Sequence, residues 1–132
     1  MWWRRSTGKN YLNKATIDTF ETRSELVENL WRKDDNANKA PYHYKPTPDT
    51  EYQPIYWDQV TDDVYSIAAY LIEKGIEKGD RVAILSENRY EWAAIDLAIQ
   101  MVGGINVSLY TTLPAKQCEF ILQDSGAKLF FV

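Results

Sequence analysis

The stretch from Gly79 to Tyr110 constrains this chain more than any other. Gly79-Asp80 is turn chemistry, and Val82-Ala83-Ile84-Leu85 is a short continuous apolar run. Such a run, bounded by turn residues, suits a strand buried on both faces of a parallel sheet. Ser86-Glu87-Asn88 breaks it, with Asn88 placed as a helix N-cap and Glu91 three residues later completing a capping-box spacing. Trp92, Ile95, Ile99 and Val102 then form one helical stripe, widened by Ala94, Leu97 and Ala98. Gly103-Gly104 stops the helix, and Ile105 to Tyr110 reads as a second strand. The whole is one βαβ unit.

The segments on either side extend it. Trp57–Lys74 carries the longest helical pattern, through Val60, Val64, Ile67, Ala68, Leu71 and Ile72. Gly75 is placed to end it in the left-handed conformation, while Tyr56 stands where a capping residue would be expected. After Tyr110, Thr111-Thr112-Leu113-Pro114 enters a further helix in which Cys118, Ile121 and Leu122 face inward and Pro114 takes the first turn. Ser125-Gly126 closes that helix, and Lys128–Val132 reads as a last buried strand. Helices of this length between strands predict an α/β fold: part of a doubly wound, mainly parallel sheet flanked by helices. The chain stops on Phe130-Phe131-Val132 in mid-strand, so it is expected to be the front part of a longer protein, with self-association through its uncovered sheet.

Ahead of this body the pattern changes. Residues 1–21 lack periodicity and read as an N-terminal arm. Trp2-Trp3 beside Arg4-Arg5 fits a membrane interface in composition, but no sustained amphipathic helix backs it. Leu26, Val27, Leu30 and Trp31 predict a short helix capped at Thr22 or Ser24. Ala40–Tyr56 reads as a β-hairpin: Tyr42 and Tyr44 alternate with polar neighbours, Pro46-Thr47-Pro48-Asp49 turns, and Tyr52, Pro54 and Tyr56 follow with period two. Pro54 lacks an N–H, so its strand lies at an edge or the proline faces away from the ladder.

Composition removes several functions. A single cysteine and a single histidine exclude an intrachain disulfide and a Cys/His zinc cluster. A net charge of −4 argues against nucleic acid as a partner. No apolar run approaches bilayer-spanning length, and the N-terminus lacks a signal peptide's apolar core, so a cytoplasmic setting is expected, with a peripheral place at the inner face of the membrane as its variant. Gly75–Asp80 does not end in Gly-Lys-Ser/Thr, and Gly103-Gly104 follows a helix instead of opening one, so neither builds a phosphate loop. No serine sits in a nucleophile elbow. His43 reads as an exposed strand residue and Cys118 as a small buried side chain. No catalytic constellation and no metal set emerges. In open α/β sheets ligands gather at the carboxyl ends of strands, which here are Ser86-Glu87-Asn88 and Tyr110-Thr111-Thr112. Capping accounts for Asn88; for Tyr110, Thr111 and Thr112 a turn role and a ligand role stand level.

The motifs Gly-Asp-Arg-Val-Ala-Ile-Leu-Ser-Glu-Asn-Arg-Tyr-Glu-Trp, Gly-Gly-Ile-Asn-Val-Ser-Leu-Tyr and Ile-Leu-Gln-Asp-Ser-Gly-Ala-Lys-Leu-Phe-Phe-Val resemble, in order and spacing, the N-terminal portion of long-chain acyl-CoA synthetases of the adenylate-forming, AMP-binding superfamily. The resemblance is close over residues 52–132 and loose over 17–50. It implies that residues 22–132 form the N-terminal subdomain of an AMP-binding domain. It also implies a full-length enzyme that uses ATP and Mg2+ to turn a fatty acid into an acyl-adenylate and then passes the acyl group to coenzyme A. The phosphate loop and the catalytic lysine of that family have no counterpart in these residues, so no cofactor is assigned to the segment itself, which is expected to be inactive alone. By resemblance, Tyr110, Thr111 and Thr112 line the substrate and coenzyme A tunnel. Tyr90 departs from the proline common in the family at its position. The alternative is a non-catalytic interaction or scaffold module derived from the same subdomain.

Overall fold

A computed structural model describes residues 39–132 of the chain. The expected arm and the helix over Leu26–Trp31 lie outside the described residues. From Tyr42 onward the elements are strand β1 (Tyr42–Tyr44), β2 (Gln53–Ile55), helix α1 (Trp57–Glu73), β3 (Arg81–Leu85), α2 (Tyr90–Met101), β4 (Ile105–Leu109), α3 (Ala115–Ser125) and β5 (Leu129–Phe131).

Helix α1 buries Val60, Val64, Ala68 and Leu71, a stripe with steps of 4, 4 and 3, and leaves Ile72 exposed. No side chain caps its start at Tyr56, although Asp58 in the first turn suits the helix dipole. Its end is a Schellman motif: Gly75, at φ +75°, donates to the Ile72 carbonyl, and Ile76 donates to that of Leu71. Ile76 and Leu71 are both buried, which supplies the motif's usual apolar contact. Helix α2 ends the same way, Gly103 bonding to Gln100 O and Gly104 to Ile99 O. Both helices are thereby stopped, and connections of different length lead from Glu73 to Arg81 and from Met101 to Ile105.

The three strands β4-β3-β5 form a parallel sheet with β3 in the centre. Val82 is level with Asn106 and Leu129, and Ala83 with Val107 and Phe130. Alternation of side chains separates two faces. Val82 and Ile84 join Val60, Val64, Leu71, Ala94, Ala98 and Ile99 in one core, so α1 and α2 cover that face. Arg81 points to the other, where its Nε donates to the Ser125 carbonyl at 2.7 Å and ties down the C-terminus of α3. Helices on both faces, with β4 and β5 on opposite sides of β3, give the expected doubly wound α/β arrangement.

Several local expectations are corrected. The hairpin forms as expected, with Tyr42 opposite Ile55 and Tyr44 opposite Gln53; Ile55, only 3% exposed, and the half-buried Tyr42 pack on the core, while Tyr52 and Tyr56 face solvent. In a two-stranded ribbon only one face meets the body, and Tyr52 and Tyr56 fall on the other. Pro54 sits in that ribbon, where both strands are edges. Helix α2 is capped by the backbone of Arg89, one residue after Asn88, without a side-chain bond. Pro114 is the N-cap of α3, not its first turn. Helix α3 contributes no fully buried residue, and Cys118, Ile121 and Leu122 are half-buried. Strand β5 is likewise only half-buried, because among the described residues it has a partner on one side alone.

Candidate functional site at the carboxyl rim of the sheet

Strands β3 and β4 are both five residues long and start level, Arg81 beside Ile105. Their carboxyl ends, Leu85 and Leu109, therefore also finish level, and the following loops leave the sheet on the same rim. After β4 comes a tight turn in which Leu113 N–H donates to Tyr110 O at 3.0 Å. Tyr110, Thr111 and Thr112 all present their side chains to solvent, Tyr110 being 76% exposed, while Leu109 anchors the turn from below at 2%. Strand β4 is held against α2 by Asn106 Nδ2, which donates to Asp96 Oδ1 at 2.8 Å; Asp96 is 3% exposed on the inner face of the helix.

The loop after β3 borders a groove of about 290 Å3. The hairpin lines one wall with His43, Tyr44, Lys45 and Tyr52, and the start of α2 lines the other with Asn88, Arg89, Tyr90 and Glu91. The walls are joined by the edge-to-face contact of Tyr42 and Tyr90, 5.4 Å between ring centres. Burial, reinforced by the bond to Asp63, pushes the Tyr90 phenol above its ordinary pKa, so it stays a proton donor. Lys45 sits 4.7 Å over the Tyr52 ring, and Arg89 pairs with Glu91 at 3.0 Å. These groups present charge, hydrogen-bonding capacity and ring faces along the groove; they do not pair a nucleophile with a base.

The structure thus keeps Tyr110, Thr111 and Thr112 together on the rim but outside the lining of the groove. It brings in His43, which is exposed as expected, and Asn88, which does not serve as the cap. The one sequence signal for the groove was the alternation of Tyr42 and Tyr44, which marks a ribbon face without naming what it packs on. Among the described residues there is no group of three or more His, Cys, Asp or Glu side chains that could hold a metal ion. Nor is any described helix long and apolar enough to cross a membrane.

Comparison with known proteins bears on what such a rim serves. The profile of the family described as AMP-binding enzyme matches residues 32–132. Over 80 residues the chain is 42% identical to the long-chain-fatty-acid–CoA ligase FadD15 of Mycobacterium tuberculosis, a match taking in 57% of this chain and 13% of that protein. It is 34% identical over 77 residues to the uncharacterized protein Rv1549 of the same organism, covering 58% of this chain and 44% of that one. The fatty acid AMP ligase from Legionella pneumophila superposes with a TM-score of 0.76 at 19% identity, over 90% of this chain and 20% of its own, which shows a shared fold. The chain spans about an eighth of the length of the ligase it matches. With the described hairpin, parallel sheet and helices inside the matched segment, the chain belongs to the AMP-binding enzyme family.

Proposed function

We propose that this chain supplies the N-terminal part of the AMP-binding domain of an AMP-forming fatty acyl-CoA synthetase, which joins a fatty acid to coenzyme A through an acyl-adenylate. The observation that carries the proposal is the 42% identity to a long-chain-fatty-acid–CoA ligase over 80 residues. ATP with Mg2+ supplies the activating adenylyl group and neutralises the phosphate charge when bound to the complete enzyme. The role of this chain's own residues is to bind and orient. In the proposal Tyr110, Thr111 and Thr112 line the passage through which the acyl acceptor reaches the adenylate; their exposure on the carboxyl rim supports that role. One phenol and two hydroxyls can guide a polar, flexible chain by hydrogen bonds, and no proton transfer is asked of them.

The test is a chimera in which residues 52–132 of this chain replace the matched segment of FadD15. Fatty-acid-dependent formation of acyl-CoA should survive, and Tyr110→Ala in the chimera should raise the KM for coenzyme A about fivefold with little change in kcat. A folded chimera that makes no acyl-CoA would count against the proposal. It would favour a second reading, a non-catalytic interaction module, for which the match to the much shorter Rv1549 speaks.

A further inference from the structure

Among the described residues Asp96 is the one polar side chain that the core buries, 3% exposed on the inner face of α2 beside the buried Ala94, Leu97, Ala98 and Ile99. Its Oδ1 accepts from Asn106 Nδ2 at 2.8 Å. Asn106 belongs to β4 and stands level with Val82 of β3, whose side chain lies in the same core. A carboxylate only accepts, so the amide must turn its nitrogen to Asp96. Asn106 Oδ1 then faces away from it; that oxygen is buried, and no described group donates to it. A pair that leaves a buried amide oxygen without a donor is a poor source of stability, because apolar side chains of similar size would pack there without that cost. What a polar pair in an apolar interface does supply is register. A helix sliding along a strand separates donor from acceptor, whereas apolar contacts alone permit neighbouring packings.

Register at this interface reaches the rim. Helix α2 follows the loop that leaves β3 at the carboxyl rim, and residues 88–91 at its start form one wall of the groove. Just past its other end, Gly103 O accepts from Gly79 N–H at the amino ends of the strands. The helix therefore runs antiparallel to β4, which rises from Ile105 to the turn at residues 110–112. We infer that Asp96 and Asn106 are positioning residues, whose bond fixes the height of residues 88–91 against residues 110–112 and thereby the shape of the passage offered to the acyl acceptor. The part concerning the passage rests on the role proposed for residues 110–112; the height itself does not.

The experiment compares Asp96→Leu/Asn106→Leu, an apolar pair of similar size, with Asp96→Asn, which keeps an acceptor for Asn106 Nδ2. In the full 132-residue chain carrying Cys118→Ser, a nitroxide on Glu91→Cys reports its distance to the Tyr110, Thr111 and Leu113 amides through paramagnetic broadening. The apolar pair should fold and shift that distance by at least about 1.5 Å, one residue's rise along the helix, and Asp96→Asn should not. In the FadD15 chimera the apolar pair should raise the KM for coenzyme A about threefold with kcat little changed, and Asp96→Asn should leave both as they are. If the apolar pair does not fold, Asn106→Ala, which removes the same bond without adding bulk, is read in its place. An unaltered distance overturns the inference, and so does a shift that Asp96→Asn reproduces, which would assign the effect to charge and not to the bond. A shifted distance with an unchanged KM overturns the positioning role if Tyr110→Ala in the same chimera does raise KM. If Tyr110→Ala leaves KM unchanged too, the role proposed for residues 110–112 has failed, and the shifted distance still supports the pair's hold on their height.

Discussion

The phenol of Tyr90 donates a 2.7 Å hydrogen bond to Asp63 Oδ2, joining the first turn of α2 to the middle of α1. The same ring meets Tyr42 of the hairpin edge-on. Tyr90→Phe keeps the ring contact and removes the bond, and is expected to destabilise the chain by about 1 kcal/mol. Tyr44→Phe, which removes an exposed bond to Gln53, should cost less than about 0.5 kcal/mol. Urea unfolding of the two variants beside the wild type checks the ranking; equal effects would deny Tyr90 its joining role.

Tyr90 also gives the fold an alkaline limit. Its phenol titrates higher in the folded chain than in the unfolded one, chiefly through burial and then through Asp63. The stabilisation it contributes is thus complete below the unfolded value of about 10 and is lost as the pH climbs toward the folded value. Between about pH 9.5 and 11.5 the wild type should lose its advantage over Tyr90→Phe. A constant difference across that window would refute the assignment.

At the opposite rim, Asp80 accepts hydrogen bonds from Lys128 Nζ and from Glu77 N–H, both at 2.8 Å, and these hold its carboxyl below the ordinary range. A depressed folded pKa contributes stability above the unfolded value of about 3.9, lost as the pH falls through the folded one. Asp80→Asn should accordingly be less stable than wild type at pH 7 and approach it on acidification below about pH 4. Thermal melts at pH 7 and pH 3 test this, and a gap that widens in acid would contradict it.

Gly103 and Gly75 close the two Schellman motifs at φ +78° and +75°, but their surroundings differ. A Cβ on Gly75 meets nothing within 4 Å, whereas one on Gly103 would lie 3.1 Å from Lys78 Cγ. Gly75→Ala should cost about 1 kcal/mol through its backbone alone. Gly103→Ala should cost about 2 kcal/mol, because Lys78 must also move. Denaturation midpoints that place Gly75→Ala as the worse variant would show that the crowding is relieved without cost.

The parts of the fold legible in the sequence were those punctuated by glycine. Strand β3 and helix α1 fall where the apolar patterns and Gly75 place them, and β4 begins directly after Gly103-Gly104. Where punctuation was ambiguous, position slipped: Asn88 offered a good cap, yet the helix starts one residue later, at Tyr90, whose side chain reaches Asp63 and Tyr42. The alternation of Tyr42 and Tyr44 marked the hairpin, but not that Tyr42 and its partner Ile55 are the residues that pack on the core. On the rim, Tyr110–Thr112 could be placed because a strand end is a local property. The groove could not, since it joins residues 43–52 to residues 88–91 and only the folded chain brings them together.

The stitching at the amino ends of the strands has a consequence for how the chain tolerates change. Gly79 donates to Gly103 O, and Ile105 to Asp80 O, so the two helix-to-strand connections are bonded to each other before either strand begins. This junction acts as a datum from which the height of the opposite rim is measured. One residue inserted within β3 or β4 would lift its loop by about 3.3 Å relative to its neighbour and turn every later side chain of that strand to the other face. Insertions in the rim loops themselves leave the datum untouched, so variation in length between relatives has room at Ser86–Asn88 and Tyr110–Thr112 and almost none between Gly79 and Leu85.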